Sequence, residues 1–165
     1  MKRIAAILAT LVMFANAALA QDSRAIYNKY SDNDDVSAVY ISSSMFKLIG
    51  KLPSMEFGSS EMNLAPLIKT LDCMYVIDCD DSGTIRNIKE DLSKYMKKNK
   101  FEMLMEVKDN GEVVRIYTSG DDSTVTHFIL TAAEDDDQYT LICLDGTMNR
   151  EELEKFIAKA AKELN

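Results

Sequence analysis

The stretch LDCMYVIDCDDSG, residues Leu71–Gly83, holds two cysteines and four aspartates and decides how the middle of the chain is interpreted. On a β-strand, successive side chains point to opposite faces. One face would then carry Cys73, Tyr75, Ile77 and Cys79, and the other Met74, Val76 and Asp78. Six residues separate the cysteine Cα atoms by roughly 20 Å, beyond the ~7 Å that a disulfide spans. The stretch therefore predicts a buried strand leading into an acidic turn, without a bond or shared metal between these two cysteines.

The acidic end of this stretch follows the order D-x-D-x-S-G, which resembles the start of a calcium-binding loop. Its weak candidate ligands are Asp78, Asp80 and Ser82. The twelfth position of such a loop requires a bidentate glutamate but is Lys89 here, and a strand rather than a helix precedes the loop. We favour the alternative that Asp81 or Ser82 caps the following helix. A calcium-binding envelope protein remains an alternative hypothesis.

A third cysteine, Cys143, lies in the strand-like run YTLICLD and could meet Cys73 or Cys79 across a sheet. We favour three buried, reduced cysteines over one disulfide, because an odd number leaves at least one thiol without a partner in the chain. Zinc is disfavoured, since the chain has no C-x-x-C pattern and its single histidine, His127, stands alone in a predicted strand. We therefore predict no cofactor.

The segments that follow the acidic turn predict a helix, four strands and a closing helix. Residues 84–98 place apolar side chains on one stripe, which indicates an amphipathic helix. Strand-like runs cover 100–109, 112–118, 123–132 and 138–145, and Asn110-Gly111 is typical of a type I′ hairpin turn. In the first run we expect Phe101, Met103, Met105 and Val107 to alternate against Glu102, Leu104 and Glu106. Asn149 and Glu152 form a cap pair at the start of the closing helix.

The segments before Leu71 predict a helix over Ala25–Tyr30, a strand over Val36–Ser42 and a helix from Ser43 that ends at Pro53. Residues 53–60 are interpreted as a loop and 61–71 as a helix broken at Pro66. Together these elements predict an α+β domain, with two to four helices packed on a mainly antiparallel sheet of five or six strands.

Residues 1–20 have the features of a signal peptide. Lys2 and Arg3 precede an apolar run that ends in Ala18-Leu19-Ala20, a small-x-small cleavage signal. We expect cleavage after Ala20, which would leave residues 21–165 as a single α+β domain in the periplasm or outside the cell. No cysteine lies near the cleavage site to carry a lipid, so we expect no stable membrane insertion of the mature chain.

The net charge of the chain limits the classes of molecule that it can bind. Without Lys2 and Arg3 the chain has 17 basic and 27 acidic residues, a formal charge of −10 with His127 neutral. Nucleic acid and anionic lipid are therefore disfavoured. The one basic cluster, Lys94, Lys97, Lys98 and Lys100, lies at the end of a predicted helix, where positive charge opposes the helix dipole. We favour this structural role over the alternative, an anion-binding site.

No nucleophile elbow, P-loop, Rossmann glycine pattern, H-E-x-x-H or paired C-x-x-C occurs in the sequence. We therefore predict no catalytic residues and favour a non-catalytic binding module of the cell envelope, whose partner is a protein, or a small ligand held on an exposed sheet face. The alternative is a small exported enzyme that uses carboxylates or a cysteine.

Three segments carry a resemblance to a known family: VYISSSMFKLIG (39–50), KFEMLMEVKDNGEVVRIYTSGDD (100–122) and YTLICLDGTMNREELEKF (139–156). They resemble domain-of-unknown-function family 4252, found among exported proteins of Gram-negative bacteria, and the likeness extends over residues 36–164. Its motifs are strand and helix patterns with Gly111 and Gly146 at turns. Many members carry a lipoprotein cysteine that this chain lacks. The resemblance implies a fold and a compartment but no active-site residues.

Overall fold

The computed structural model describes residues 23–49, 70–134 and 137–163. In chain order these residues form α1 (Arg24–Tyr30), β1 (Val36–Ser42), α2 (Ser43–Ile49), β2 (Leu71–Cys79), α3 (Ser82–Lys98), β3 (Glu102–Asp109), β4 (Glu112–Gly120), β5 (Thr124–Glu134), β6 (Gln138–Asn149) and α4 (Arg150–Glu163). The predicted α+β class is confirmed. The predicted cleavage site, the loop over 53–60 and most of the predicted helix over 61–71 lie outside the described residues, but the last residue of that helix, Leu71, is the first residue of β2.

The six strands form one antiparallel sheet in the order β1-β2-β6-β5-β4-β3. Strands β3 to β6 follow one another as a meander, and β6 then pairs with β2, which comes much earlier in the chain. The strands β2, β6, β5 and β4 therefore lie inside the sheet, and among the described strands β1 and β3 form its two edges.

Helices cover both faces of the sheet. On the first, here called the α1/α3 face, α1 and α3 pack on β2, β5 and β6. The buried side chains of this core are Ile26, Tyr30, Cys73, Tyr75, Ile77, Cys79, Ile85, Ile88, Leu92, Tyr95, Ile129, Tyr139, Leu141 and Cys143. On the second, the α2/α4 face, the buried core consists of Phe46, Leu71, Ile116, Val125, Phe128, Met148 and Leu153.

The alternation predicted for β2 is confirmed, since Cys73, Tyr75, Ile77 and Cys79 are buried while the residues between them are less so. A bulge between Leu71 and Cys73 sends Leu71 to the core of the other face. The helix after β2 also matches its prediction: the Asp81 carboxylate accepts a hydrogen bond from the Thr84 amide at 2.7 Å, which makes Asp81 its N-cap.

Turn and cap chemistry fixes the ends of two further elements. Asn110 and Gly111 have φ angles of 47° and 94°, as the type I′ turn between β3 and β4 requires. The Asn149 side chain accepts a hydrogen bond from the Glu152 amide at 3.0 Å, so the predicted cap of α4 is also present.

The continuous alternation predicted for β3 is wrong. A bulge interrupts its pairing with β4 between Met103 and Met105. Met103 lies opposite Tyr117 on the α1/α3 face, whereas Met105 contacts the core of the α2/α4 face. One extra residue in a bulge reverses the faces of all residues beyond it, and no local pattern in the run encodes it.

Candidate functional site

The three weak calcium candidates do not converge on one point. The Asp78 carboxylate accepts a hydrogen bond from the Thr140 hydroxyl at 2.8 Å, Asp80 is exposed, and Ser82 is the first residue of α3. Asp78 and Asp80 line a shallow acidic groove together with Asp34 and Asp35. Among the described residues, no group of three or more His, Cys, Asp or Glu side chains is arranged to hold a metal ion. Calcium binding therefore has no assembled ligand set in the described structure.

A row of polar residues crosses the sheet near one end of β2. Cys73 pairs with Asp145 on β6, and Asp145 pairs with His127 on β5. At its ends, Ser42 of β1 lies beside Cys73 and Ser119 of β4 lies beside His127. This set, here called the polar row, lies on the α1/α3 face. The sequence-based interpretation of His127 as a histidine standing alone is therefore incomplete.

Asp145 is the centre of the polar row. One of its carboxylate oxygens lies 2.7 Å from His127 Nδ1, and the other accepts a hydrogen bond from the Ser23 hydroxyl at 2.5 Å. The Cys73 sulfur lies 3.6 Å from that second oxygen and 2.9 Å from the Tyr75 hydroxyl. Asp145 is only 7% exposed, so its contacts compensate the lost hydration of a buried carboxylate. The network joins the residue before α1 to the middle of the sheet.

The register places Cys73 and His127 on strands that are not adjacent. A cysteine nucleophile and its base need a hydrogen bond of roughly 3 Å. Strand β6 lies between Cys73 and His127, and two inter-strand steps amount to roughly 10 Å between backbones. Asp145, rather than the imidazole, is therefore the neighbour of the thiol in the register.

The remaining cysteines are also buried in the core. Cys143 pairs with Tyr75, and Cys79 pairs with Tyr139. All three cysteines are buried and lie outside any disulfide. Burial is the largest influence on the Cys79 thiol and raises its pKa, outweighing an interaction with the Asp81 backbone that lowers it. All three are therefore buried and reduced, as predicted, but Cys73 contacts polar groups and does not behave as a small apolar residue.

The α2/α4 face carries a continuous apolar row across all six strands. The cross-strand pairing connects Val39, Val76, Ile142, Leu130, Ile116 and Met105. This set is here called the apolar row. Ile116 is buried, the inner neighbours are half-buried, and Val39 at the β1 edge is 49% exposed. The next pairs toward the β3 edge add Ala132, Val114 and Val107, of which Val107 is 40% exposed. Within the described part of the chain, α2 and α4 therefore cover this face only partly.

The rim of the apolar row is acidic. Asp78, Glu112 and Glu134 lie on the α2/α4 face at one end of their strands. The basic residues of the six strands, Arg115 and Lys108, fall on the opposite face in the register. On that opposite face, the Glu106 carboxylate accepts a hydrogen bond from Arg115 Nε at 2.7 Å. The partly covered face thus combines an apolar centre with negative charge.

Sequence reasoning missed both Asp145 and the apolar row. On β6 the side chains of Tyr139, Leu141 and Cys143 are buried, and Asp145 is the next residue on the same side of the strand. An acidic residue that continues a series of buried positions is a feature that the sequence alone shows. The apolar row has no comparable signal, because it forms only when six strands pair in a particular order.

The described part of the chain contains no helix long and apolar enough to cross a membrane. No curated protein and no solved structure shows significant similarity to the chain. Fold and site define a class of α+β domain, in which two helices on each side cover a six-stranded antiparallel sheet around a buried carboxylate. The chain belongs to the family described as Domain of unknown function (DUF4252), whose model matches residues 30–156.

Proposed function

We propose that this protein is an exported, non-catalytic interaction module of the cell envelope. Its partly covered α2/α4 face binds an amphipathic, basic segment of another protein. The observation that carries this proposal is the apolar row, which crosses every strand and ends in the exposed Val39. Soluble proteins rarely expose large contiguous apolar patches unless these bind something.

The chemistry of the partner follows from the surroundings of the row. An apolar sheet face is covered most simply by the apolar side of a helix. The acidic rim at Asp78, Glu112 and Glu134 favours positive charge on the flanks of that helix. Export is supported by the signal-peptide features of residues 1–20.

Two synthetic peptides test the proposed function. One is an amphipathic helix with leucine on one side and lysine on the other, and the second carries glutamate in place of lysine. We expect the lysine peptide to bind the mature protein, with an affinity that falls as salt is added, because salt screens the charges on the rim. Equal binding of both peptides, or of neither, would contradict the proposal.

A matched pair of variants locates the binding surface. Val107 and Met103 are both exposed and lie on the same strand, at 40% and 55% exposure, but on opposite faces. We expect Val107→Gln to weaken binding of the lysine peptide several-fold, because it places a polar group on the apolar face. Met103→Gln should leave the affinity unchanged. An equal effect of both substitutions would place the contact elsewhere.

A further inference from the structure

The two edges of the sheet differ in how they are protected from pairing. Edge strands expose backbone groups and are usually blunted by charge, proline or bulges. Strand β3 has the bulge at Met103 and the charged residues Glu102, Glu106 and Lys108. Strand β1, with the sequence VSAVYIS, has no charged residue and no proline, and all seven residues pair with β2 in unbroken register. Among the described strands it is thus an uncharged edge with unbroken register, available to pair with another strand.

Exposed apolar side chains concentrate at this edge. Of the six large apolar residues that are exposed in the described part of the chain, four lie in β1 and the adjoining α2. They are Val39, Tyr40, Met45 and Leu48. Val39 and Tyr40 point to opposite faces of the sheet, so a partner helix on one face would cover only one of them. A strand added to the edge places side chains next to both.

We propose that β1 pairs antiparallel with β1 of a second copy, across a two-fold axis at Val39, so that two sheets join into one. This register aligns all seven residues of β1: Val39 faces Val39 of the partner subunit, and Ala38 faces Tyr40 of the partner subunit. The exposed tyrosine thereby lies beside the small alanine, and two β-branched side chains meet at the axis. The inference does not depend on the proposed function.

Charge favours a second copy in this orientation. An acidic chain approaches its own copy most easily where it carries no charge, and β1 is such a place. Asp34 and Asp35 precede β1, whereas Ser43 and Ser44 follow it. Antiparallel pairing puts each aspartate pair beside the serines of the other copy. Parallel pairing would bring the aspartates together, at an electrostatic cost.

A stable dimer needs more contact area than the paired β1 strands provide, and exposed apolar residues next to β1 can supply it. Specific interfaces bury about 1,200–2,000 Å² in total, more than one short strand pair supplies. Met45 and Leu48, which directly follow β1, are 48% and 62% exposed and extend the apolar surface. On the other face the Tyr40 ring stacks on Tyr75 at 5.4 Å, with the Arg24 guanidinium 5.2 Å from its centre, so it is held in place at the edge.

Sedimentation or light scattering of the mature protein over a concentration series tests the proposal. We expect a dimer of twice the monomer mass, and Val39→Lys should return it to a monomer by placing two charges at the axis. Val107→Lys is the matched control, an exposed valine on the opposite edge, and should remain dimeric. Circular dichroism checks that both variants fold. A monomeric wild-type protein, or a dimer lost in Val107→Lys but retained in Val39→Lys, would overturn the proposal.

Disulfide trapping tests the register without requiring that Val39→Lys fold. In Val39→Cys the two new thiols face each other at the axis, within the ~7 Å Cα separation of a disulfide. Mild oxidation should give a covalent dimer. Ser37→Cys is the control, because in this register its partner copy lies four residues further along, roughly 13 Å away. Crosslinking through position 37 but not 39, or through neither, would contradict the register. The dimer can form even if the lysine peptide does not bind, and the peptide can bind even if no dimer forms. The two proposals can therefore fail independently.

Discussion

At the scale of single residues, Asp145 joins parts of the chain that are far apart in sequence. It contacts Ser23 before α1, Cys73 on β2 and His127 on β5, although Ser23 is 122 residues away in sequence. A carboxylate that is 7% exposed is stable in this position only while its oxygens accept hydrogen bonds. Its role is therefore to position α1 on the sheet.

Replacing Asp145 with asparagine should lower the free energy of unfolding by about 1–3 kcal/mol, because the amide can no longer accept bonds through both oxygens. Urea denaturation followed by circular dichroism measures the change. In a Ser23→Ala background the same replacement should cost less, since one partner is already missing. The control is Asp80→Asn on the exposed turn, which should leave the midpoint unchanged. Identical midpoints for Asp145→Asn and wild type would show that the network is not structural.

The buried cysteines give a second prediction at this scale. In the native protein, a thiol reagent should modify all three cysteines slowly, whereas in urea it should modify them rapidly. Burial raises the pKa of Cys79, so a smaller fraction is thiolate than in an exposed cysteine at the same pH. Rapid native labelling of Cys73 and Cys79 would instead identify a reactive site.

The same shift predicts a pH dependence of stability. Above the ordinary pKa of a thiol, near 9, the unfolded state loses the Cys79 proton while the folded state retains it. The folded state is therefore stabilised less as the pH rises through this range. The Cys79→Ala variant should lose less stability than wild type between about pH 8 and 10. If wild type and Cys79→Ala lose the same free energy of unfolding over this pH range, Cys79 does not contribute to the pH dependence.

At the scale of elements, the close approach of β6 to the start of β2 depends on Gly146. A Cβ atom at this position would lie 2.4 Å from the Thr70 carbonyl oxygen and 2.8 Å from the Leu71 Cα. The neighbouring Thr147 amide donates a hydrogen bond to the same Thr70 oxygen at 3.0 Å. Both contacts involve backbone, which cannot move aside without disturbing the pairing of β2 with β6.

Gly146→Ala should therefore destabilise the fold by about 2–4 kcal/mol, as expected for overpacking against fixed backbone. The matched control is Gly83→Ala in the first turn of α3, where the new Cβ would meet no backbone atom of another element and only the carboxylate oxygen of Asp81, at 3.3 Å. Alanine favours a helix over glycine, so that variant should be neutral or slightly more stable. Thermal unfolding compares the two, and equal melting temperatures would contradict the account of Gly146.

At the scale of the whole molecule, the predicted export determines the compartment in which the protein binds its partner. The basic start, the apolar run and Ala18-Leu19-Ala20 predict a mature protein that begins at Gln21. Mass spectrometry of the protein purified from a Gram-negative envelope fraction should find that N-terminus. A chain that retains Met1, or that carries an acylated residue, would contradict cleavage after Ala20.

The sequence by itself determined the types of the elements and the buried sides of several. The period of two in Cys73–Cys79 and the helical period after Thr84 are local properties of the chain, and the caps at Asp81 and Asn149 are equally local. The class of fold followed from these patterns, and the resemblance to the family led to the same conclusion.

Only the tertiary structure decided the strand order, the bulge in β3, the contacts of Asp145 and the apolar row. Each depends on which distant strands pair and in what register, and many registers satisfy the same alternation of apolar and polar residues. The choice among them is made by the packing of both faces at once, a sum over contacts far apart in sequence. For that reason many of the buried positions were predictable from the sequence alone, whereas the candidate binding surfaces can be identified only in the assembled six-stranded sheet.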